Sequence, residues 1–383
     1  MKIGILTTEL YFNYGGILQA FALQTYLKKY GHEAWLIINN RSRQSLSFPT
    51  IARAVAKSIL GIKMPTARLN FEMEVICQNT ACFVRKYINP VTSTVENAKA
   101  MNWLDIYNFD AYIVGSDQVW RKGFTKPNKP SFFEIFKSIL WTRPMFLDFV
   151  KSNKVKRIAY AASFGVDEWE YDFRMTKIIA NLLRKFNAVS VREDSGVRLC
   201  KEYLGVDAIH LIDPTMLLSA SEYMELCRKE NTAKSKGNMM VYLLDETRGE
   251  IANVIAQKKK LILFSVNAKT KSPKAPLEDR VYPPVTDWIR GFFDAEFIVT
   301  DSFHGCVFSI IFNKPFLAIG HEIGGMARFH SLLKMFGLED RLILGMDELT
   351  DDKLAAEINF DRVNQILKIK QQEASFFLQK ALR

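Results

Sequence analysis

Short apolar, β-branched runs alternate with longer amphipathic stretches along almost the whole chain. KIGILTT, EAWLIIN, AYIVGS, RIAYAAS, AVSVRE and AIHLID read as strands, too continuously apolar to leave one face in water. Between the first two, apolar positions recur at helical spacing, which predicts a helix from about Gly16 to Tyr30. Strand and helix in alternation are the pattern of parallel βαβ units. A second series follows Asp213 and Pro214, with a helix in SASEYMELCRKEN and strands in MMVYLLD, KLILFSV, EFIVT and PFLAI. Two such series predict an α/β protein of two Rossmann-like domains facing across a cleft, at residues 1–218 and 219–350. A C-terminal helix, 351–383, is expected to pack back on the first domain. The polar segment Thr232 to Asn238 is the expected linker.

Two segments break the rhythm. In 41–68, Ile51, Ala54, Val55, Ile59 and Leu60 form one apolar face beside Arg53, Lys57 and Lys63. That face suits either peripheral contact with an acidic membrane or, the commoner case for so short a stripe, a helix packed on the first domain. The second segment, SFFEIFKSILWTRPMFLDFV, is dense in aromatics and reads as a flank for a sugar or as core and lid packing.

Length changes the picture only by supporting two domains, since cores seldom grow past about 300 residues and this chain has 383. No apolar run reaches the roughly 18 residues of a membrane span. MKIGILTTEL reads as a buried strand and not as a signal peptide, so a cytoplasmic protein is expected, at the inner membrane face if 41–68 binds lipid. Five cysteines without CxxC spacing argue against a disulfide framework or a zinc site. The excess of 52 basic over 41 acidic residues favours anionic partners. Nucleic acid is the weakest of these, because no basic run is interleaved with aromatics.

In open α/β sheets ligands gather beyond the carboxyl ends of the strands, and five such ends carry polar residues. Asn13, Gly15 and Gly16 form a tight turn opening a helix whose amides suit an anion, with Gln19 one turn on. Gly115 and Ser116 lead to Asp117 and Gln118, and Ser163 and Phe164 end another strand as a platform for a sugar ring. Arg192 follows a strand and precedes a helix expected at Asp194, placed to clamp an anion or to pair with Glu193 or Asp194. Finally, TDSFHG places Asp301 and Ser302 as caps, with His304 and Gly305 in the first helical turn. Helix N-termini disfavour a cationic imidazole and favour a bound anion, so His304 reads as a proton carrier or, alternatively, as a capping or core histidine.

Taken together, NYGGILQAFALQTYLKKYG, VGSDQVW, RIAYAASFG, AVSVREDSG, IDPTMLL and TDSFHGCVFSIIFNKPFLAI resemble, in order, the polysaccharide pyruvyl transferase family. The resemblance implies a GT-B-like pair of domains and transfer of a pyruvyl ketal from phosphoenolpyruvate to a saccharide acceptor in envelope, capsule or exopolysaccharide biosynthesis. It implies no metal and no cofactor, phosphoenolpyruvate being a co-substrate. The matching site residues are Arg192 and His304, with Asp117 as a third catalytic candidate. Ser302, Phe303, Gly305, Asn13, Gly15 and Gly16 fall on the donor side. Gln19, Ser116, Gln118, Ser163 and Phe164 fall on the acceptor side. Better-studied family members often carry arginine and leucine before the histidine, where this chain has Ser302 and Phe303, so a second donor cation is expected from Arg328 or, next, Lys314. Two other readings stand beside this one: a GT-B glycosyltransferase using a nucleotide sugar, and a noncatalytic polysaccharide-assembly protein.

Overall fold

A computed structural model describes residues 1–39, 65–122, 142–320 and 325–383. Nearly all of the basic segment 41–68 and the first half of the aromatic one lie outside the described residues. The second half of the latter is core: Phe146 and Phe149 are buried, and Phe146 stacks on Trp120.

The expected strands form two all-parallel sheets. The first contains β1 (Lys2–Leu6), β2 (Glu33–Leu36), β3 (Ala111–Gly115), β4 (Lys156–Ala162), β5 (Ala188–Val191) and β6 (Ile209–His210), in the order β2-β1-β3-β4-β5-β6. The second contains β7 (Met239–Tyr242), β8 (Leu263–Ser265), β9 (Phe297–Thr300), β10 (Phe316–Ile319) and β11 (Leu342–Ile343), in the order β11-β10-β9-β7-β8. Helices cover both faces, which is why these strands carry few polar positions. Side chains alternate between the faces. In β4, Ile158 and Tyr160 enter one core and Ala159 the other, until the irregularity at Ala161, at a φ of +47°, turns Ala162 to the side of Ala159.

The helices are α1 (Tyr14–Lys29), α2 (Pro65–Ile76), α3 (Gln78–Tyr87), α4 (Phe173–Leu183), α5 (Asp194–Leu199), α6 (Ala220–Lys229), α7 (Gly249–Lys259), α8 (Val285–Asp294), α9 (Phe303–Ile311), α10 (Met326–Phe336), α11 (Asp351–Ala355) and α12 (Phe360–Leu382). Helix α1 starts two residues before the expected position because Asn13 caps it, its Oδ1 accepting from the Gly16 amide at 3.1 Å. Thr232–Asn238 does not divide the molecule. Helix α6 before it already packs on α8, with Cys227 Sγ donating to the Thr286 carbonyl at 3.3 Å. Helix α12 lies on the first sheet's side: Phe377 meets Tyr160, and Gln371 donates to the Met216 carbonyl.

Two features bring the halves together. Tyr14, at the start of α1, stacks on Trp288 of α8 and donates to the Pro283 carbonyl at 2.9 Å, so one apolar core runs from the first sheet into the second. In addition, each sheet reverses its winding once, between β1 and β3 and between β7 and β9. Crevices at such reversals are where open α/β sheets hold ligands.

Candidate active site

Four strand ends meet at the junction, and what they bring together is an ion cluster. The Arg192 guanidinium, just past β5 and buried, donates from Nη1 to Asp213 Oδ2 at 2.9 Å; Nη2 lies 3.6 Å from Asp117 Oδ1. Ser116 Oγ donates to the same Asp213 Oδ2 at 2.7 Å. Asp213 Oδ1 takes the amide and hydroxyl of Thr215 at 3.0 and 2.7 Å. His304 approaches from the other sheet, its Nε2 3.6 Å from Asp213 Oδ2. Arg192 and His304 thus face one carboxylate oxygen.

Burial alone would push the Asp213 carboxyl up. His304, Arg192 and Ser116 together hold it far below the usual carboxylate range. The same contest is won by the charged form at Asp117, where Arg192, His304 and Arg328 outweigh burial. Arg192 was expected as a free anion clamp or as a partner of Glu193 or Asp194. It is instead neutralised by carboxylates distant in sequence, because a guanidinium out of water needs them. It keeps Nε and Nη2 without a hydrogen bond.

Each strand end has its own local logic. Gly115 has a φ of +146°, and a Cβ there would sit 1.9 Å from the Tyr160 carbonyl oxygen, so only glycine lets β3 turn into the cleft. Asp117 follows at a φ of +52°, accepting from Thr8 at 3.2 Å and Asn13 at 3.3 Å. On the second sheet, Gly305 lets α9 close on β9: its Cβ would meet Thr300 Oγ1 at 2.1 Å. Ser302 occupies the cap position but makes no side-chain cap bond. Asp301 does not cap either; its carboxylate takes the Leu244 and Asp245 amides at 2.5 and 2.9 Å, tying the end of β7 to β9. His304 presses on Gly15, whose Cβ would lie 2.0 Å from Nδ1, so the histidine of one half rests on the first helical turn of the other.

The remaining candidates divide. Arg328, from α10, reaches the cluster. Burial and the adjacent Arg192 push its guanidinium down to about 10, and its Nε is buried without a partner. Lys314 follows the C-terminal end of α9, roughly 10 Å of helix from His304, and is not part of the cluster. Gln19 is fully buried, donating to Thr7 and the Gly16 carbonyl. Gln118 accepts from Arg121 at 2.6 Å. Phe164 is no open platform: its ring packs between Trp120 and Trp169 in the core. Ser163 Oγ is buried beside Glu193. Sequence reasoning missed Glu193 and Asp213. Glu193 Oε1 holds the Phe164 and Gly165 amides at 2.6 and 2.9 Å, and burial pushes its carboxyl up. The one signal for Asp213 was an acid closing an apolar strand immediately before proline. The cations therefore sit among carboxyl groups and do not form the simple positive patch that the strand ends suggest. Among the described residues no group of acids, histidines and cysteines is arranged to hold a metal, and no helix is long and apolar enough to cross a membrane.

Two winding reversals, with ionisable residues from both sheets between them, define an α/β protein of GT-B architecture. The UDP-N-acetylglucosamine 2-epimerase of Rickettsia bellii superimposes over 100% of this chain and 97% of its own, with a TM-score of 0.51 and 10% identity. The enzyme of that name from Neisseria meningitidis, bound to UDP-GlcNAc, covers 98% and 94%, with a TM-score of 0.47 and 11% identity. No curated protein matches the chain in sequence. The polysaccharide pyruvyl transferase family model matches residues 13–322, and the chain belongs to that family. The match takes in Asn13, Asp117, Arg192, Asp213 and His304 and stops short of Arg328.

Proposed function

We propose that this protein transfers a pyruvyl group from phosphoenolpyruvate to two hydroxyls of a saccharide, releasing phosphate and leaving a ketal. The observation that carries the reading is a set of buried polar atoms without a hydrogen bond: Arg192 Nε and Nη2, Arg328 Nε and His304 Nε2. Buried polar groups are nearly always paired in a protein at rest, and this set is mainly of cationic or proton-carrying groups, as a donor with a carboxylate and a phosphate requires. The N-terminus of α9 adds its amide dipoles.

In the proposed reaction His304 gives a proton to the methylene carbon while a sugar hydroxyl bonds to the neighbouring carbon and gives up its own proton, which restores His304. The carbon–oxygen bond to phosphate then breaks, the second hydroxyl closes the ketal, and its proton leaves with the phosphate. Proton count and charge balance without an oxidant or metal. Asp213 orients His304, and Asp117, tied to Thr8 and Asn13, faces the acceptor hydroxyls. We place the reaction in the cytoplasm, with lipid-linked saccharides as one acceptor class.

The test is phosphate release from phosphoenolpyruvate with a panel of nitrophenyl and lipid-linked sugars, run in heavy water. Deuterium should appear in the ketal methyl group. His304→Asn should fold and lose about 10² to 10⁴-fold of turnover. Binding of nucleotide sugars in place of phosphoenolpyruvate, or full activity of the variant, would overturn the reading.

A further inference from the structure

Arg328 is half-buried and, unlike the buried Arg192, forms no ion pair with an acid among the described residues. No hydrogen bond or ion pair holds it among the described residues, and its Nε is buried without a partner. Arg192 and Arg121 repel it, and Asp117 and Glu193 attract it only from beyond ion-pair distance. Beside those carboxylates, another group helps to keep the two guanidinium groups together. The ring of Phe303 does this: its centroid lies 4.4 Å from Arg192 Cζ and 5.8 Å from Arg328 Cζ, both within cation–π range. Phe303 is itself buried and fixed at the first position of α9, edge-on to His304. From the other side Gly325, at a φ of +90°, brings its backbone close to Arg328; a Cβ there would lie 3.2 Å from Nη2.

We propose that Phe303 is a positioning residue whose ring holds Arg328 beside Arg192, making the pair a two-pronged clamp for a donor with two acidic groups. The physical point is what a ring does not do. A carboxylate would hold Arg328 by neutralising it and occupying its donors. An aromatic face attracts the cation and leaves the N–H groups free for a ligand. Arg192, held by Asp213, supplies the anchored prong, and Arg328, held by the ring, supplies the one with no ion pair of its own. The inference rests on the donor reading above and adds to it the residue that makes donor affinity possible.

Calorimetric binding of phosphoenolpyruvate tests it, with inorganic pyrophosphate as a second polyanion. Phe303→Leu should weaken binding by about ten-fold, the scale of a desolvated cation–π contact. Phe303→Tyr, which keeps the ring, should stay within about three-fold of the wild type, and thermal melts of both variants report folding. Arg328→Ala is the second arm, since it leaves Phe303 in the core. If the ring acts through Arg328, adding Phe303→Leu to Arg328→Ala should cost no more than about two-fold further. Equal affinity of Phe303→Leu and wild type, or additive losses in the double variant, would overturn the proposal. A wild type that binds pyrophosphate but not phosphoenolpyruvate sinks the donor reading alone, with the same cycle then run on pyrophosphate. A wild type that binds neither sinks both.

Discussion

Gly15→Ala is the substitution that asks most directly whether the two halves must meet for the site to exist. Gly15 lies in the first turn of α1, and its φ is outside the left-handed region, so its backbone accepts a side chain. Alanine is favoured over glycine in helices by up to about 1 kcal/mol. On local grounds the variant should be neutral or more stable. The obstacle comes from the other domain: the new Cβ would lie 2.0 Å from His304 Nδ1, 2.1 Å from Cγ and 2.7 Å from Cβ. Ordinary contact needs about 3.4 Å or more, so the ring must retreat by roughly 1.5 Å or α9 must lift from α1. Overpacking of this kind costs about 1 to 3 kcal/mol, against a helix gain of up to about 1, leaving a net loss of roughly 0 to 3 kcal/mol. The activity should suffer far more, because a displacement of about 1 Å in a catalytic group costs on the order of 100-fold. The assay is phosphate release under saturating phosphoenolpyruvate, beside thermal melts and circular dichroism. Gly249→Ala is the control, since it lies at the start of α7 with nothing within 4 Å of its Cβ. Gly15→Ala activity within about three-fold of the wild type would refute the claim that the Gly15 contact fixes His304.

Other outcomes follow from the same geometry. Asp213→Asn removes the charge opposite a buried guanidinium and should cost about 3 kcal/mol or more at pH 7 by denaturant titration. Because the folded carboxyl titrates far below its ordinary value, its stabilisation is complete above about pH 4 and fades as the pH falls further. The stability gap between wild type and variant should therefore be level from pH 5 to 8 and narrow below 4; a gap that widens in acid contradicts the ion-pair account. Arg192→Lys keeps a charge but loses the fork that faces Asp213 and Asp117 together, so KM for phosphoenolpyruvate should rise more than the melting temperature falls. Only Cys82 of the five thiols is exposed, and burial pushes Cys77 and Cys227 up to about 11 and Cys200 to about 12. Native labelling at pH 8 should modify one thiol quickly and the rest only on unfolding; two fast thiols would show the packing around Cys77 or Cys227 to be wrong.

How much of this was legible depends on range. Strands such as Phe297–Thr300 and Phe316–Ile319 declare themselves, because burial on both faces demands continuous apolar runs. The two-residue strand Leu342–Ile343 does not, being too short for any period to show. The strand ends likewise placed Asp117, Arg192 and His304 on one side of the sheets, since that follows from parallel winding alone. Their partners did not follow. Asp301 has every local quality of a helix cap, yet two amides at the end of β7 take its carboxylate, and no local pattern tells that β7 and β9 are neighbours. Phe164 failed for the same reason: a strand tip looks open until Trp120 and Trp169 are folded around it.

The site's placement carries a consequence for how it can work. Of the groups that face Asp213, Ser116 and Arg192 belong to the first sheet's strand ends, whereas His304 arrives with the second sheet. The first two contacts are hydrogen bonds of 2.7 and 2.9 Å, but the third is a looser 3.6 Å. The carboxylate is thus firmly bound into one half and loosely faced by the other. Arg328 repeats the pattern, reaching a first-sheet arginine from a second-sheet helix with an aromatic ring against it and no ion pair among the described residues. A polyanion bound between them would add charge-assisted hydrogen bonds across the junction where the protein itself supplies few. Donor binding should then stabilise the contact between the halves as well as occupy it, by an amount set by RT ln(1 + [L]/Kd). A rise in melting temperature with phosphoenolpyruvate, about 2.7 kcal/mol at one hundred times Kd, that disappears in Arg328→Ala would show that coupling; a rise of the same size in the variant would place the stabilising contacts in the first half alone.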